Sequence, residues 1–144
     1  MSQYQRILVA LDLTENSDEV VRRARGLSSQ HDVRITMAHV VEPLALAYGG
    51  DIPLDMTDVQ EQIQKQAESR LKEIAKKHDI PDYECRVLIG QPEAEIRALS
   101  QELNTDLIVV GCHSRAGLSM LFGSTANSMI NGAPCDVLAI RVSD

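Results

Sequence analysis

The 144-residue sequence predicts an α/β fold in which helices cover both faces of a parallel sheet. Three observations support this prediction. Five short runs rich in Val, Ile and Leu show little polar alternation, as expected of strands buried on both faces. Segments of helical periodicity separate these runs, so strands and helices alternate along the chain. No tight hairpin signal joins two strands, which disfavours an antiparallel α+β domain.

The five predicted strands differ little in composition. Each is an apolar run bounded by polar or turn-forming residues. They are Ile7 to Leu11, Val33 to Val41, Cys85 to Ile89, Leu107 to Val110 and Val137 to Val142.

The first helix is predicted between the first two strands. Asn16 and Glu19 form an Asn version of the capping box, which predicts the N-terminus of the helix. Val20, Ala24 and Leu27 then share one face, which we expect to pack on the sheet.

The second predicted helix is the longest. Its apolar residues recur at three- and four-residue steps opposite a charged face, which predicts an amphipathic helix. The apolar face consists of Met56, Val59, Ile63, Ala67, Leu71 and Ile74.

Two further helices complete the prediction. The third begins at Gln91-Pro92-Glu93, where Pro occupies the first turn and Glu93 faces the positive end of the helix dipole. Its inner face is Ile96, Leu99 and Leu103. A fourth helix is predicted from Gly123 to about Asn131. The connection from Glu42 to Asp55, which contains two prolines and a Gly pair, is predicted to be a flexible loop.

Length and composition predict one domain spanning residues 1–144. Hydrophobic residues make up 44% and charged residues 24%, which is ordinary for a globular protein.

The net charge of −7 and the low aromatic content argue against nucleic-acid binding. No apolar run is long enough to span a membrane and no secretory signal is recognisable, so we expect a cytoplasmic protein. Three widely spaced cysteines and four histidines lack metal-ligand spacing, which predicts reduced thiols and no metal site.

A stretch rich in small residues follows the fourth strand. It opens at Gly111 and closes with Gly123-Ser124-Thr125 at the predicted start of a helix. A strand that leads through such a loop into a helix N-terminus is typical of phosphate sites, because Gly lets the backbone approach the anion and free N–H groups point at it. Ser124 and Thr125 offer hydroxyl donors, and Arg115 offers a positive charge. The alternative is that Gly111 and Gly123 are turn residues with Ser124 as a helix N-cap. Neither a Walker A loop nor a Rossmann GxGxxG after the first strand is present.

Several motifs lie in one order along nearly the whole chain. The first strand ends in Asp12, and Ala38-His39-Val40-Val41 forms the second. Further motifs are Gly90-Gln91-Pro92, Asp106-Leu107-Ile108-Val109-Val110-Gly111, Gly123-Ser124-Thr125-Ala126 and Ala133-Pro134-Cys135-Asp136-Val137-Leu138. Together they resemble the universal stress protein family. The resemblance implies a Rossmann-like five-stranded parallel sheet of order 3-2-1-4-5.

The resemblance also bears on ATP. ATP-binding members of that family carry G-x-x-G, nine residues, then G-S/T. Gly111 and Gly123-Ser124 match the ends of this pattern, whereas Ser114 stands at the second Gly and the spacing before Gly123 is one residue short. Ser114 is small and its hydroxyl can donate to a phosphate oxygen. The branch close to universal stress protein A lacks the closing Gly-Ser and is thought not to hold ATP, and this chain keeps that pair.

Individual roles follow from the same resemblance. The Asp12 carboxylate would accept from ribose or adenine donors, with a helix cap as the alternative, and the Val40 backbone would meet the adenine. His39 is interpreted as a packed, hydrogen-bonded histidine. His113 would shield phosphate charge, or lie at the surface without a role. The predicted nucleotide-binding residues are Ala10, Asp12, Val40, Gly111, His113, Ser114, Arg115, Gly123, Ser124 and Thr125. No catalytic residue is predicted.

The implied function is that of a non-enzymatic ATP-binding universal stress protein, a homodimer in stress response or signalling. Mg²⁺ would accompany ATP, and AMP or ADP are alternative ligands. A weak ATPase and a dimeric interaction protein without nucleotide are the competing hypotheses. In the strand order that the resemblance implies, the apolar last strand, Val137 to Val142, lies at a sheet edge, which predicts antiparallel pairing with a second copy. A monomer whose edge is blunted by Arg141 and Asp144 is the alternative.

Overall fold

The computed structural model describes residues 4–27, 32–44, 54–113 and 132–142, with the backbone alone for 54–56 and 113. Its strands are β1 (Arg6–Ala10), β2 (Arg34–Val41), β3 (Cys85–Ile89), β4 (Leu107–His113) and β5 (Asp136–Val142). Its helices are α1 (Ser17–Arg25), α2 (Leu54–Lys77) and α3 (Pro92–Leu103), and a 3₁₀ turn (Asp82–Glu84) precedes β3. The fourth predicted helix and most of the connection from Glu42 to Asp55 lie outside the described residues.

The five strands form one parallel sheet of order β3-β2-β1-β4-β5, as predicted. The lack of polar alternation has the expected cause, because both faces of the sheet are covered. In β1, Ile7 and Val9 belong to a core cluster with α1 and α2, whereas Leu8 belongs to a second cluster with Ile96 and Leu99 of α3. Ile7, Leu8 and Val9 are 1%, 0% and 0% exposed.

Strand boundaries differ from the prediction mainly in β4. The sequence predicts an end at Val110, but the strand continues through Gly111 and Cys112 to His113. The physical reason is the pairing with β5, in which Gly111 lies opposite Ile140 and His113 opposite Val142. A glycine in a strand therefore does not end it, because the neighbouring strand still supplies the ladder.

The predicted capping box of α1 is wrong. Asn16 is the N-cap residue but lies in the helical region, at φ −84 and ψ −5, and its side chain makes no capping hydrogen bond. The predicted core face also needs correction. Leu27 lies beyond the end of α1 at Arg25 and is 38% exposed, whereas Val21 is completely buried.

The second half of α2 packs on the sheet, whereas the apolar side chains described in its first half are partly exposed. At 24 residues the helix is about 36 Å long, whereas the eight residues of β2 span about 26 Å. Leu71 and Ile74 are buried, but Val59 and Ile63, predicted to share their face, are 37% and 36% exposed. Because α2 leads into the beginning of β3, its N-terminal half lies towards the edge of the sheet at which the strands end.

A buried acid joins β2 to β3 at the opposite edge, where the strands begin. Glu84 is 4% exposed, and its carboxylate accepts hydrogen bonds from Arg34 Nε (2.6 Å), Arg34 Nη2 (3.1 Å) and Thr36 Oγ1 (3.2 Å). This bidentate hydrogen bond and the charge of Glu84 raise the pKa of Arg34. No helix in the described part of the chain is long and apolar enough to cross a membrane.

Candidate functional site

A notch marks the carboxyl-terminal edge of the sheet at its centre. β1 ends at Ala10, which pairs with Ala38 on one side and with Val110 on the other. Both neighbours continue for three further residues, to Val41 and to His113. β2 and β4 therefore extend roughly 10 Å past the last paired residue of β1, and this step in the sheet edge is the notch. From this point the chain passes from β1 to β2 on one side and from β4 to β5 on the other. Such a switch point is the usual ligand position in open parallel sheets.

The turn after β1 lies at this notch and is organised by one carboxylate oxygen. Asp12 Oδ1 accepts hydrogen bonds from the Thr14 backbone N–H at 3.1 Å and the Thr14 hydroxyl at 2.8 Å. The hydroxyl of Ser17, a buried residue at the start of α1, lies 3.5 Å from the same oxygen. The alternative role of Asp12 as a helix cap is wrong, because Asn16 is the N-cap residue of α1.

Leu13, at the centre of this turn, has left-handed backbone geometry. Its φ of 60° is uncommon for a residue with a Cβ and costs roughly 1–2 kcal/mol. Arg70 Nε of α2 donates a hydrogen bond to the Leu13 carbonyl at 2.8 Å. A hydrogen bond from a charged group contributes about 1.5–3 kcal/mol, and the exposure of Arg70 places this one at the low end. The strain and the hydrogen bond are therefore of similar size.

His39 fixes the residue before Asp12. Its Nδ1 lies 2.7 Å from the Leu11 carbonyl oxygen, and because a carbonyl only accepts, Nδ1 carries the proton. The prediction of a packed, hydrogen-bonded histidine is confirmed. The carbonyls on both sides of Asp12 are thus each held by a side chain from another element.

Gly111 has a packing role that the sequence did not reveal. It lies inside β4, so its interpretation as a turn residue is wrong. A Cβ at this position would lie 3.1 Å from Val20 Cγ2 of α1, which is closer than side chains normally approach. The missing side chain lets α1 lie close to β4, and Asp12, Ser17 and Gly111 are thereby brought to the same end of the sheet.

Four of the ten predicted nucleotide-binding residues lie together at the notch. Ala10, Asp12, Val40 and Gly111 lie on the three strands that form the notch or directly after one of them. The backbone of His113 ends β4. Ser114, Arg115, Gly123, Ser124 and Thr125 lie outside the described residues.

Three residues at this site escaped the sequence analysis. Thr14 and Ser17 follow Asp12 at the spacing of a side-chain turn, which is a signal that could have been used. Arg70 carried no signal, because it lies on the polar side of α2 and its partner is a backbone carbonyl 57 residues earlier.

A second recess, of about 460 Å³, lies at the opposite edge of the sheet. It is lined by acids and bases together, among them Arg25, Asp32, Arg34, Asp79, Tyr83 and Glu84. Arg34 is already paired with Glu84, so its charge is compensated within the protein. This recess is therefore a poor site for a phosphate, and the notch remains the candidate site.

The three cysteines, all within the described ranges, form no disulfide. Burial raises the pKa of the Cys85 thiol, which disfavours the nucleophilic thiolate. Within the described ranges, no group of three or more His, Cys, Asp or Glu side chains is placed to hold a metal ion.

Known proteins are similar to this chain in sequence and in fold. A family model described as the universal stress protein family matches residues 3–141. Universal stress protein A homolog 2 of Coxiella burnetii is 38% identical over 144 residues, covering 99% of this chain and 98% of that protein. The solved structure of hypothetical protein MJ0577 has a TM-score of 0.75 at 18% identity and 96% coverage of both chains. A universal stress protein in complex with cAMP has a TM-score of 0.60 at 23% identity, covering 95% of this chain and 96% of that one.

The fold and the notch define a doubly wound α/β protein with a crevice at its topological switch point. The chain belongs to the universal stress protein family. The predicted family, sheet order and Rossmann-like fold are thus confirmed.

Proposed function

We propose that this chain binds an adenine nucleotide, preferentially ATP, in the notch, and acts as a non-enzymatic stress-response or signalling protein of the cytoplasm. The observation that carries the proposal is the early end of β1 between two longer strands. Past Ala10, β2 and β4 continue on either side of the Asp12 turn without β1 pairing between them. A crevice of this kind at the switch point is the preferred nucleotide position in this architecture.

The adenosine half would occupy the side of the notch formed by β1 and β2. Asp12 follows β1 and offers a carboxylate, which accepts hydrogen bonds from the ribose hydroxyls. Val40 lies in the part of β2 that continues past β1, where its backbone would meet the adenine edge. Ala10 is the last residue of β1, and its small side chain would leave room for a planar ring.

The phosphates would lie on the side of β4. Gly111 and His113 lead into the loop that carries Ser114 and Arg115 and that ends at Gly123, Ser124 and Thr125. Backbone N–H groups, hydroxyls and one guanidinium in this loop supply the donors that phosphate oxygens require. Mg²⁺, if bound, would be held mainly by phosphates and water, as is usual for this ion beside nucleotides. The cAMP complex of a structural relative supports an adenine nucleotide as the ligand class.

Affinity should rise with the number of phosphates if the loop works as proposed. Each charge-assisted hydrogen bond from an N–H to phosphate contributes about 1.5–3 kcal/mol. We therefore expect calorimetric titrations to give increasing affinity from adenosine through AMP and ADP to ATP. Equal affinity along this series would contradict a phosphate-binding loop and leave only an adenosine pocket.

A second function remains a candidate because of the relatives' names. The Coxiella burnetii proteins at 38% and 36% identity are both called universal stress protein A homologs. That branch is the one expected to act without nucleotide. An interaction protein of this type would give no heat with ATP. A weak ATPase would bind ATP and also release phosphate.

We also propose a homodimer through β5. β5 is an edge strand, and no other strand in the described ranges pairs with its outer side. Ile140 and Val142 are buried, whereas Asp136, Ala139 and Arg141 are exposed along the same strand. Unpaired N–H and C=O groups of an edge strand favour pairing with a second copy, and a two-fold axis makes that pairing antiparallel.

Light scattering at micromolar concentration tests the dimer. The expected mass is twice the chain mass of 15.9 kDa. A mass near 15.9 kDa at every concentration would contradict the dimer.

A further inference from the structure

The turn that carries Asp12 is held in an unfavourable conformation by a residue from a different element. Leu13 has φ 60°, and the hydrogen bonds from Thr14 to Asp12 Oδ1 close the turn around it. The Leu13 carbonyl accepts from Arg70 Nε at 2.8 Å. If Leu13 returned to a common backbone region, the Thr14 N–H would rotate away from Asp12.

We propose that Arg70 is a positioning residue for the nucleoside part of the site. By holding the Leu13 carbonyl, it keeps the left-handed turn and so directs the Asp12 carboxylate towards the notch. The inference rests on the proposed function, because it assigns Asp12 to the ribose. It differs from a direct role of Arg70 in phosphate binding, which would act through charge alone.

The arrangement of the neighbouring contacts supports this role. His39 already fixes the Leu11 carbonyl from β2, so the residue before Asp12 has a support of its own. Arg70 provides the equivalent support after Asp12, from the buried half of α2. The two hydrogen bonds restrain the backbone on either side of the carboxylate, and without Arg70 one side is released.

A double substitution separates positioning from charge. Adenosine is the probe, because it has no phosphate for a cation to attract. We expect Arg70→Ala to weaken adenosine binding about tenfold. Adding Leu13→Gly to Arg70→Ala should restore affinity severalfold, since Gly adopts positive φ without strain and no longer needs the hydrogen bond. Lys72→Ala, which removes an exposed cation two residues away on the same helix, is the matched control and should change little.

Two results would overturn the proposal. One is a loss of ATP affinity in Arg70→Ala with adenosine affinity unchanged, which would make Arg70 a phosphate-facing charge. The other is failure of Leu13→Gly to improve adenosine binding by Arg70→Ala while both variants remain folded.

Amide hydrogen exchange in the absence of nucleotide keeps this test apart from the proposed function. The Thr14 N–H should exchange faster in Arg70→Ala than in the wild type and in Lys72→Ala. If the wild-type protein binds no adenosine, the proposed function fails, and the exchange of Thr14 still decides whether Arg70 holds the turn. Unchanged exchange would contradict the proposal in either case.

Discussion

Replacing Asp12 with alanine is expected to weaken both adenosine and ATP binding about a hundredfold. The substitution removes the carboxylate that would accept the ribose hydroxyls, and a hydrogen bond to a charged group is worth about 1.5–3 kcal/mol. It also removes the acceptor for the Thr14 N–H and hydroxyl, so the turn loses its closure. A hundredfold loss corresponds to about 2.7 kcal/mol of binding free energy. Calorimetry on the folded variant measures the loss.

Asp12→Asn is the matched control. Its amide oxygen can still accept from Thr14, so the turn should persist, but the negative charge is lost. We expect affinity between those of the wild type and Asp12→Ala. Wild-type affinity in Asp12→Ala, with an unchanged thermal transition, would remove Asp12 from the site.

Replacing Gly111 with valine is expected to lower the free energy of unfolding by about 2 kcal/mol. The new side chain would enter the space that Val20 Cγ2 now occupies, 3.1 Å from the position of the added Cβ. Inserting methyl groups into a packed interface commonly costs about 1–3 kcal/mol, because backbone and side chains must shift. Urea denaturation monitored by circular dichroism gives this value.

Gly111→Ala is the smaller substitution at the same position and serves as the matched control for packing. One methyl group requires a shift of only a few tenths of an ångström in Val20, so the expected stability loss is below about 1 kcal/mol. A graded loss from alanine to valine supports the packing role. Equal stability of the wild type, Gly111→Ala and Gly111→Val would contradict the close approach of α1 to β4.

The features that depend on hydrophobic pattern were predictable from the sequence. The run Ile7-Leu8-Val9 has no polar alternation, and both of its faces are covered in the structure. The start of α3 at Pro92, with Glu93 in its first turn, also follows from local chemistry and is confirmed. Such signals succeed because each depends on residues close together in the sequence.

The features that depend on distant contacts were not predictable. Asn16 and Glu19 have the spacing of a capping box, yet no side-chain cap forms, and the hydroxyls of Thr14 and Ser17 bond to Asp12 instead. The strand through Gly111 continues because β5 pairs with it. Val59 and Ile63 repeat the helical period of the core, but α2 is longer than the sheet beneath it.

The residues of the candidate site also fall into a group that the sequence predicted and a group that it did not. Asp12 and Val40 were identified from motifs at strand ends, and the structure places both at the notch. The left-handed Leu13 and its hydrogen bond from Arg70 carry no local signal, because their geometry depends on the packing of α2 beside the turn.

Titration of the wild-type protein with ATP tests the central claim most directly. We expect saturable binding of one ATP per chain with a dissociation constant below about 1 mM, which corresponds to more than about 4 kcal/mol of binding free energy. Asp12→Ala in the same titration should show clearly weaker binding. Absence of any binding heat for the wild type at millimolar ATP, with ADP and AMP equally silent, would contradict the assignment of the notch as a nucleotide site.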